Sequence, residues 1–129
     1  FDVVLAKSLF THMLPDEMEV YLGQLAKRLQ PGGRALLTYF LLNELQRELE
    51  QKGENQILFH DLSGENAFRV RRLAAPTAAV AYREDHLLEA LSRHGLRLKS
   101  RIIYGTWSGR RDGLSFQDMV VVTKSAGPA

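Results

Sequence analysis

The chain opens on a short apolar run, Val3 to Ala6, without polar alternation, and turns polar at Lys7-Ser8. Such a run predicts a parallel strand buried on both faces, and in open α/β sheets ligands lie beyond the carboxyl ends of such strands. Lys7 to Met13 is therefore the first candidate site. A helix follows. Pro15 suits its first position, Asp16 and Glu17 favour its positive end, and Met18, Tyr21, Leu22, Leu25 and Leu29 recur at helical spacing. Pro31-Gly32-Gly33 ends it. Arg34 to Leu42 is nearly all apolar and predicts a second internal strand. Asn43-x-x-Gln46 resembles a capping box that opens a short helix stopping at Gly53.

The stretch 56–70 is irregular. Ile57, Leu58 and Phe59 suit a short strand or a segment under the sheet edge, and Phe68 and Val70 alternate with arginines as an extended segment with one buried face. Pro76 to Tyr82, small and apolar, reads as a linker over the core. Glu84 to His94 predicts a helix with Leu87, Leu88 and Leu91 inward and Gly95 as its stop. Leu96 to Ile102 alternates as a strand with one wet face, Gly105 to Ser115 is a glycine-rich loop, and Gln117 to Thr123 is a β-branched strand. A loop rather than a helix joins these last two strands, which makes them antiparallel. Ser125 to Ala129 reads as a frayed tail.

Composition narrows the class. At 129 residues and 45% hydrophobic content the chain can bury one globular core. Its 17 basic and 15 acidic side chains are too balanced to argue for nucleic acid, and the Arg69, Arg71, Arg72 run reads as a solvated face. The absence of cysteine excludes a disulfide framework and fits a cytoplasmic location. The longest apolar run, Ala35 to Leu42, is too short to span a membrane. The histidines show no metal-ligand spacing, and Gly105 to Gly113 lacks the Gly-Lys-Ser/Thr of a phosphate loop, so no metal site is expected.

Phe1-Asp2-Val3-Val4, then Ser8-x-Phe10-Thr11-His12-Met13, then Leu29-Gln30-Pro31-Gly32-Gly33-Arg34 resemble the fourth strand, following helix and fifth strand of class I S-adenosylmethionine-dependent methyltransferases. Gly95-Leu96, Tyr104-Gly105-x-Trp107-x-Gly109-Arg110 and Phe116-Gln117-Asp118-Met119 are similar to the closing strands of one small-molecule group within them. The resemblance covers about residues 1 to 124. It implies an α/β fold: a partial Rossmann-like sheet of parallel strands plus an antiparallel C-terminal pair, flanked by helices. The family's first strand, glycine-rich loop and acidic residue have no counterpart in this sequence, and the chain opens on Phe1 rather than Met. The expectation is a C-terminal half-domain, residues 1–124 with a tail at 125–129, inactive in isolation. S-adenosylmethionine and a small-molecule acceptor would be bound by the longer parent. The first strand's exposed edge would invite self-association. The alternative is a non-catalytic, methyltransferase-like module that binds a protein partner.

The resemblance also implies roles. Lys7 and Ser8 match positions that contact the cofactor's methionine portion, and Phe10 would stack on a ring. Thr11 would face the acceptor, and His12 is the candidate proton acceptor. Plainer readings stand beside these: Thr11 as a helix cap, His12 bonding backbone at the helix start, Lys7 as a surface residue. Tyr39, near the end of the second strand, lines a pocket or packs in the core, whereas Phe40 is read as core. Trp107 and Arg110 would hold an acceptor by stacking and charge, or Trp107 simply anchors its loop.

Overall fold

The computed structural model describes residues 2–61 and 68–124; the predicted tail at 125–129 lies outside the described residues. Among the described residues, seven strands form two sheets, accompanied by three α-helices. β1 (Val3–Ala6) leads into a 3-10 turn (Phe10–His12) and α1 (Pro15–Arg28). β2 (Arg34–Tyr39), β3 (Leu41–Leu42) and α2 (Glu44–Gln51) follow, then β4 (Phe68–Val70) and β5 (Val80–Arg83). The chain closes with α3 (Glu84–Arg93), β6 (Leu96–Leu98) and β7 (Asp118–Lys124).

The larger sheet has the order β1-β2-β7-β6. β1 and β2 are parallel, and β7 runs antiparallel to both of its neighbours, as the loop-joined ending predicts. Register sorts the side chains. Val4, Ala35, Val122 and Leu98 share one row, and Ala6, Leu37 and Val120 the next. Both rows pack with Met18 and Leu22 of α1 and Leu87, Ala90 and Leu91 of α3 as the main core. The two helices are clamped where Glu19 meets Arg93 and His94, with His94 Nε2 2.6 Å from the carboxylate. Burial raises the Glu19 pKa, but the bonds from His94 and Arg93 outweigh it and hold the carboxyl below its usual range.

The opposite face differs from expectation. Val3 and Leu5 are each 65% exposed, so β1 is covered on one face, not two. Leu36 and Val121 continue the row of Leu5 and are only half-buried. Helix faces also narrow: Tyr21 and Leu88, expected inward, are exposed.

The predicted strand Arg34 to Leu42 breaks at Phe40. Its last two residues leave the large sheet and join a second one, order β3-β5-β4. The predicted linker Pro76 to Tyr82 is instead a 3-10 turn followed by β5, the centre of that sheet, with Val80, Ala81 and Tyr82 fully buried. Phe68 and Val70 are buried with Arg69 between them, as the alternation predicts. Ile57 and Phe59 form no strand but join Phe40, Ala79, Ala81 and Trp107 in a second core. The strand expected over Leu96 to Ile102 stops at Leu98, and Ile103 resumes contact with β7 as an isolated bridge to Met119.

Candidate functional site

The turn after β1 is built by a sharp backbone reversal. Ser8 has φ 58°, the only positive value at a non-glycine among the described residues. A side chain in this left-handed region costs about 1 kcal/mol and needs support. The support comes from neighbouring strands. Ser8 N–H donates to Thr38 Oγ1 at 2.7 Å, and its hydroxyl donates to Gln117 Oε1 at 3.3 Å. The carboxyl end of β1 is thus tied to the end of β2 and to the residue before β7. Lys7 is exposed and Ser8 half-buried at this end.

Phe10 is buried and stacks on Tyr39, ring centroids 5.3 Å apart. Tyr39 is fully buried, meets Tyr82 edge-on at 6.1 Å, and its phenol is pushed well up in pKa by burial. The core reading of Tyr39 is the one this burial supports. Thr11 does not cap α1, whose N-cap position is Leu14 with no side-chain bond; the Thr11 hydroxyl is buried without a partner in the 3-10 turn. His12 is exposed and bonds a distant backbone group rather than the helix start, its Nδ1 lying 3.2 Å from the Thr77 carbonyl. A carbonyl only accepts, so in this contact Nδ1 is the donor, and Nε2 makes no bond among the described residues.

Trp107 lies elsewhere, in the second core. It is 1% exposed, edge-on to Phe40 and Phe59 at 5.3 and 5.4 Å, and its indole N–H donates to Asp118 Oδ2 at 2.9 Å. This is the anchoring role; the ring presents no free face to a pocket.

Arg110 belongs to a third place. Its guanidinium sits 4.0 Å over the Tyr104 ring in a shallow cleft of about 370 Å³ shared with Asn43, Glu44 and Glu84. Tyr104 donates to Glu84, which also accepts from Asn43 Nδ2 at 3.4 Å. Burial, then the Glu84 bond, push the Tyr104 phenol up to about 12. Glu84 also borders a larger cleft of about 910 Å³ with Arg47, Arg69 and Arg83. This cleft opens where the parallel pair β3 and β5 ends and α2 and α3 begin. Asn43 caps α2 there, its Oδ1 accepting Gln46 N–H at 2.9 Å, as the capping motif predicts.

The predicted residues therefore fall into three groups. Lys7, Ser8, Thr11 and His12 gather at the end of β1, with Phe10 and Tyr39 packed beneath; Trp107 is core; Arg110 faces the cleft. Sequence reading gave no site role to Thr38, Gln117 and Glu84, which make cross-links with Ser8 and with Tyr104, a residue of the motif that carries Trp107 and Arg110. Glu84 was hidden because the strand that delivers it, β5, was read as a linker. Among the described residues no group of His, Asp and Glu is arranged to hold a metal ion, and no helix is long and apolar enough to cross a membrane.

No protein-family model matches the chain. Solved structures do. An S-adenosylmethionine-dependent methyltransferase from Methanosarcina mazei superposes with a TM-score of 0.63 at 17% identity, over 97% of this chain and 59% of that one. The Burkholderia thailandensis 1,6-didemethyltoxoflavin N1-methyltransferase, solved with 1,6-didemethyltoxoflavin and S-adenosylhomocysteine, gives 0.60 at 17% identity, over 97% and 44%. The magnesium protoporphyrin IX methyltransferase of Synechocystis gives 0.58 at 14% identity, over 97% and 45%. This chain spans between 44% and 59% of their lengths. Over the part it spans, the chain has the α/β fold of the class I S-adenosylmethionine-dependent methyltransferases.

Proposed function

We propose that this chain is the acceptor-side half of a methyltransferase domain that moves a methyl group from S-adenosylmethionine to a small-molecule acceptor. The observation that carries the reading is the left-handed turn at Ser8, held by Thr38 and Gln117 at the carboxyl end of a parallel strand. Strained non-glycine backbone persists only where its surroundings enforce it, and this end of an α/β sheet is where ligands bind. The fold shared with the methyltransferases above supports the cofactor class, and the 1,6-didemethyltoxoflavin bound by one of them supports a small-molecule acceptor.

The residues present fit one wall of a sulfonium cofactor's site. Lys7 and Ser8 are open to a ligand at the strand end, and Phe10 backs them from the core. When bound, the cofactor supplies an electrophilic methyl group, so the chain's work is to orient the acceptor and exclude water. His12 Nε2 takes the proton of a protic acceptor, whereas Thr11, fully buried in the same turn, cannot touch the acceptor and serves only to shape that turn. Arg110 binds it at the cleft; Tyr39 and Trp107 contribute by holding these surfaces in register. A cytoplasmic site of action is part of the same reading.

Calorimetric titration of S-adenosylhomocysteine into this chain, and into a longer protein that carries it together with a glycine-rich strand, tests the proposal. Binding by the longer protein alone is the expected result. Binding by neither would replace it with the partner-binding module, and binding by this chain alone would mean that the cofactor site lies elsewhere.

The half-domain reading has a physical consequence. β1 is the edge of its sheet, with Val3 and Leu5 each 65% exposed, and an apolar free edge is a template for pairing. Sedimentation of the isolated chain is expected to give dimers or larger species through this strand. Leu5→Lys, which puts a charge on the exposed face, shifts them to monomer; a wild-type chain that is already monomeric counts against the edge.

A further inference from the structure

Asp118 is the least expected polar group in the fold. It opens β7 opposite Tyr39 and is 1% exposed. Its carboxylate accepts three N–H groups. Oδ1 takes Gly105 N–H at 2.7 Å, while Oδ2 takes Leu41 N–H at 2.7 Å and the Trp107 indole at 2.9 Å. The donors come from the start of β3 and from two points of the loop that follows β6. Burying a carboxylate is costly unless it is hydrogen-bonded, and charge-assisted bonds of this length are the strong ones. Burial raises the Asp118 pKa, and the three donors and Arg110 oppose that rise. Arg110 and the Tyr104 phenol, itself bonded to Glu84, are the charged and titratable groups that act on this carboxylate.

The loop 104–116 has a tight seat. Thr106 N–H and Trp107 N–H donate to the Ser115 and Phe116 carbonyls at 2.9 and 3.1 Å, and Trp107 accepts from Gln56 N–H at 2.8 Å. These are backbone bonds of ordinary strength. Among the described residues, the carboxylate is the one side chain that hydrogen-bonds both the loop and the point where the chain leaves the large sheet for the second one.

We propose that Asp118 is a positioning residue: it latches the 104–116 loop onto β3, and that latch sets Tyr104 and Arg110 at the cleft beside Glu84. That these two residues serve an acceptor rests on the methyl-transfer reading; the latch itself does not. An asparagine cannot replace the carboxylate. Its amide NH2 must face either Gly105 N–H or the Leu41 and Trp107 pair, so at least one donor meets a donor and loses its partner.

The test uses Trp107, the only tryptophan. In Asp118→Asn its emission is expected to shift to the red and become more quenchable by acrylamide. Trypsin cleavage after Arg110 and Arg111 is expected to rise about tenfold, the change that one lost charge-assisted bond gives. Far-UV circular dichroism should keep the remaining sheet. Unchanged emission and cleavage in a folded variant would overturn the proposal. If the variant does not fold, hydrogen exchange of the wild-type chain decides. The Leu41 and Gly105 amides and the Trp107 indole should open together, ahead of the β2–β7 ladder. Exchange of all three only with global unfolding would overturn the latch. None of these readouts needs a cofactor or acceptor, so this test and the S-adenosylhomocysteine titration fail independently.

Discussion

Gly105→Ala is expected to destabilise the chain by about 3 kcal/mol or more and to leave the 104–116 loop unseated. A Cβ at this position would stand 2.3 Å from the Phe116 carbonyl oxygen and 2.4 Å from that of Gln117. Both are backbone atoms on the segment that enters β7, so no side chain can rotate away to make room. Moving them would also pull Asp118 from the Gly105 N–H that it accepts at 2.7 Å. Gly32→Ala is the matched control. Gly32 has φ +80° but nothing within 4 Å of its would-be Cβ, so only the left-handed strain remains, about 1 kcal/mol. Urea titrations followed by Trp107 emission and by circular dichroism measure both costs. A Gly105→Ala chain as stable as Gly32→Ala would mean that the close approach of the loop to the start of β7 does not exist in solution.

The same position illustrates what a sequence displays and what it withholds. The loop's glycines are visible in Gly105 to Gly113, but the reason for one of them is a contact between backbones that no local pattern encodes. α1 was legible because its signals are local and redundant: proline at the start, acids in the first turn, Met18 and Leu22 at helical spacing, Pro31-Gly32-Gly33 at the end. β7 declared itself through Val120, Val121 and Val122. β5 did not. Val80-Ala81-Tyr82 is as apolar as Val3-Val4-Leu5, yet its small residues and the preceding Pro76 resemble a linker. Burial falls the other way, with β5 enclosed and β1 half open. A short apolar run states that a segment wants cover; it does not state which faces find it. The break at Phe40 is also non-local. The run from Ala35 to Leu42 is continuous in sequence, and Leu41 turns off to give its N–H to a carboxylate 77 residues later.

The candidate site divides in the same manner. The turn at Lys7-Ser8 could be located from the strand before it, since the change from apolar to polar marks a carboxyl end. Its tie to Thr38 and Gln117 could not, because those partners are 30 and 109 residues away. Tyr39 and Trp107 were drawn toward function by their chemistry, and the fold uses their area instead. Large aromatic side chains bury more surface than any others and pack edge to face, so two cores of this size enlist them first.

Tyr82 joins both lessons, and its replacement should be the costliest of the single changes considered. The side chain is fully buried on β5, stacked on His86 at 6.0 Å and edge-on to Tyr39, and its hydroxyl donates to the Met13 carbonyl at 2.6 Å. It thereby connects the second sheet to the turn that carries His12. Tyr82→Ala removes the whole ring and is expected to cost about 3–5 kcal/mol, a large share of the 5–15 kcal/mol that holds a typical domain. Tyr82→Phe keeps the packing and strands one buried carbonyl, at about 1–2 kcal/mol. Urea unfolding of the pair separates the two contributions; equal losses would mean that the hydroxyl, not the ring, holds the sheets together. The pH dependence gives a second check. Burial raises the Tyr82 pKa above its ordinary 10.0, so the unfolded chain releases this proton first. Its contribution is complete below pH 10 and is lost as the pH rises above that value toward the folded-state pKa. Tyr39 and Tyr104 shift the same way, so the alkaline loss of stability should shrink in Tyr82→Phe without vanishing. A loss of the same size in both proteins would place Tyr82 in contact with water, and with it the turn that β5 supports.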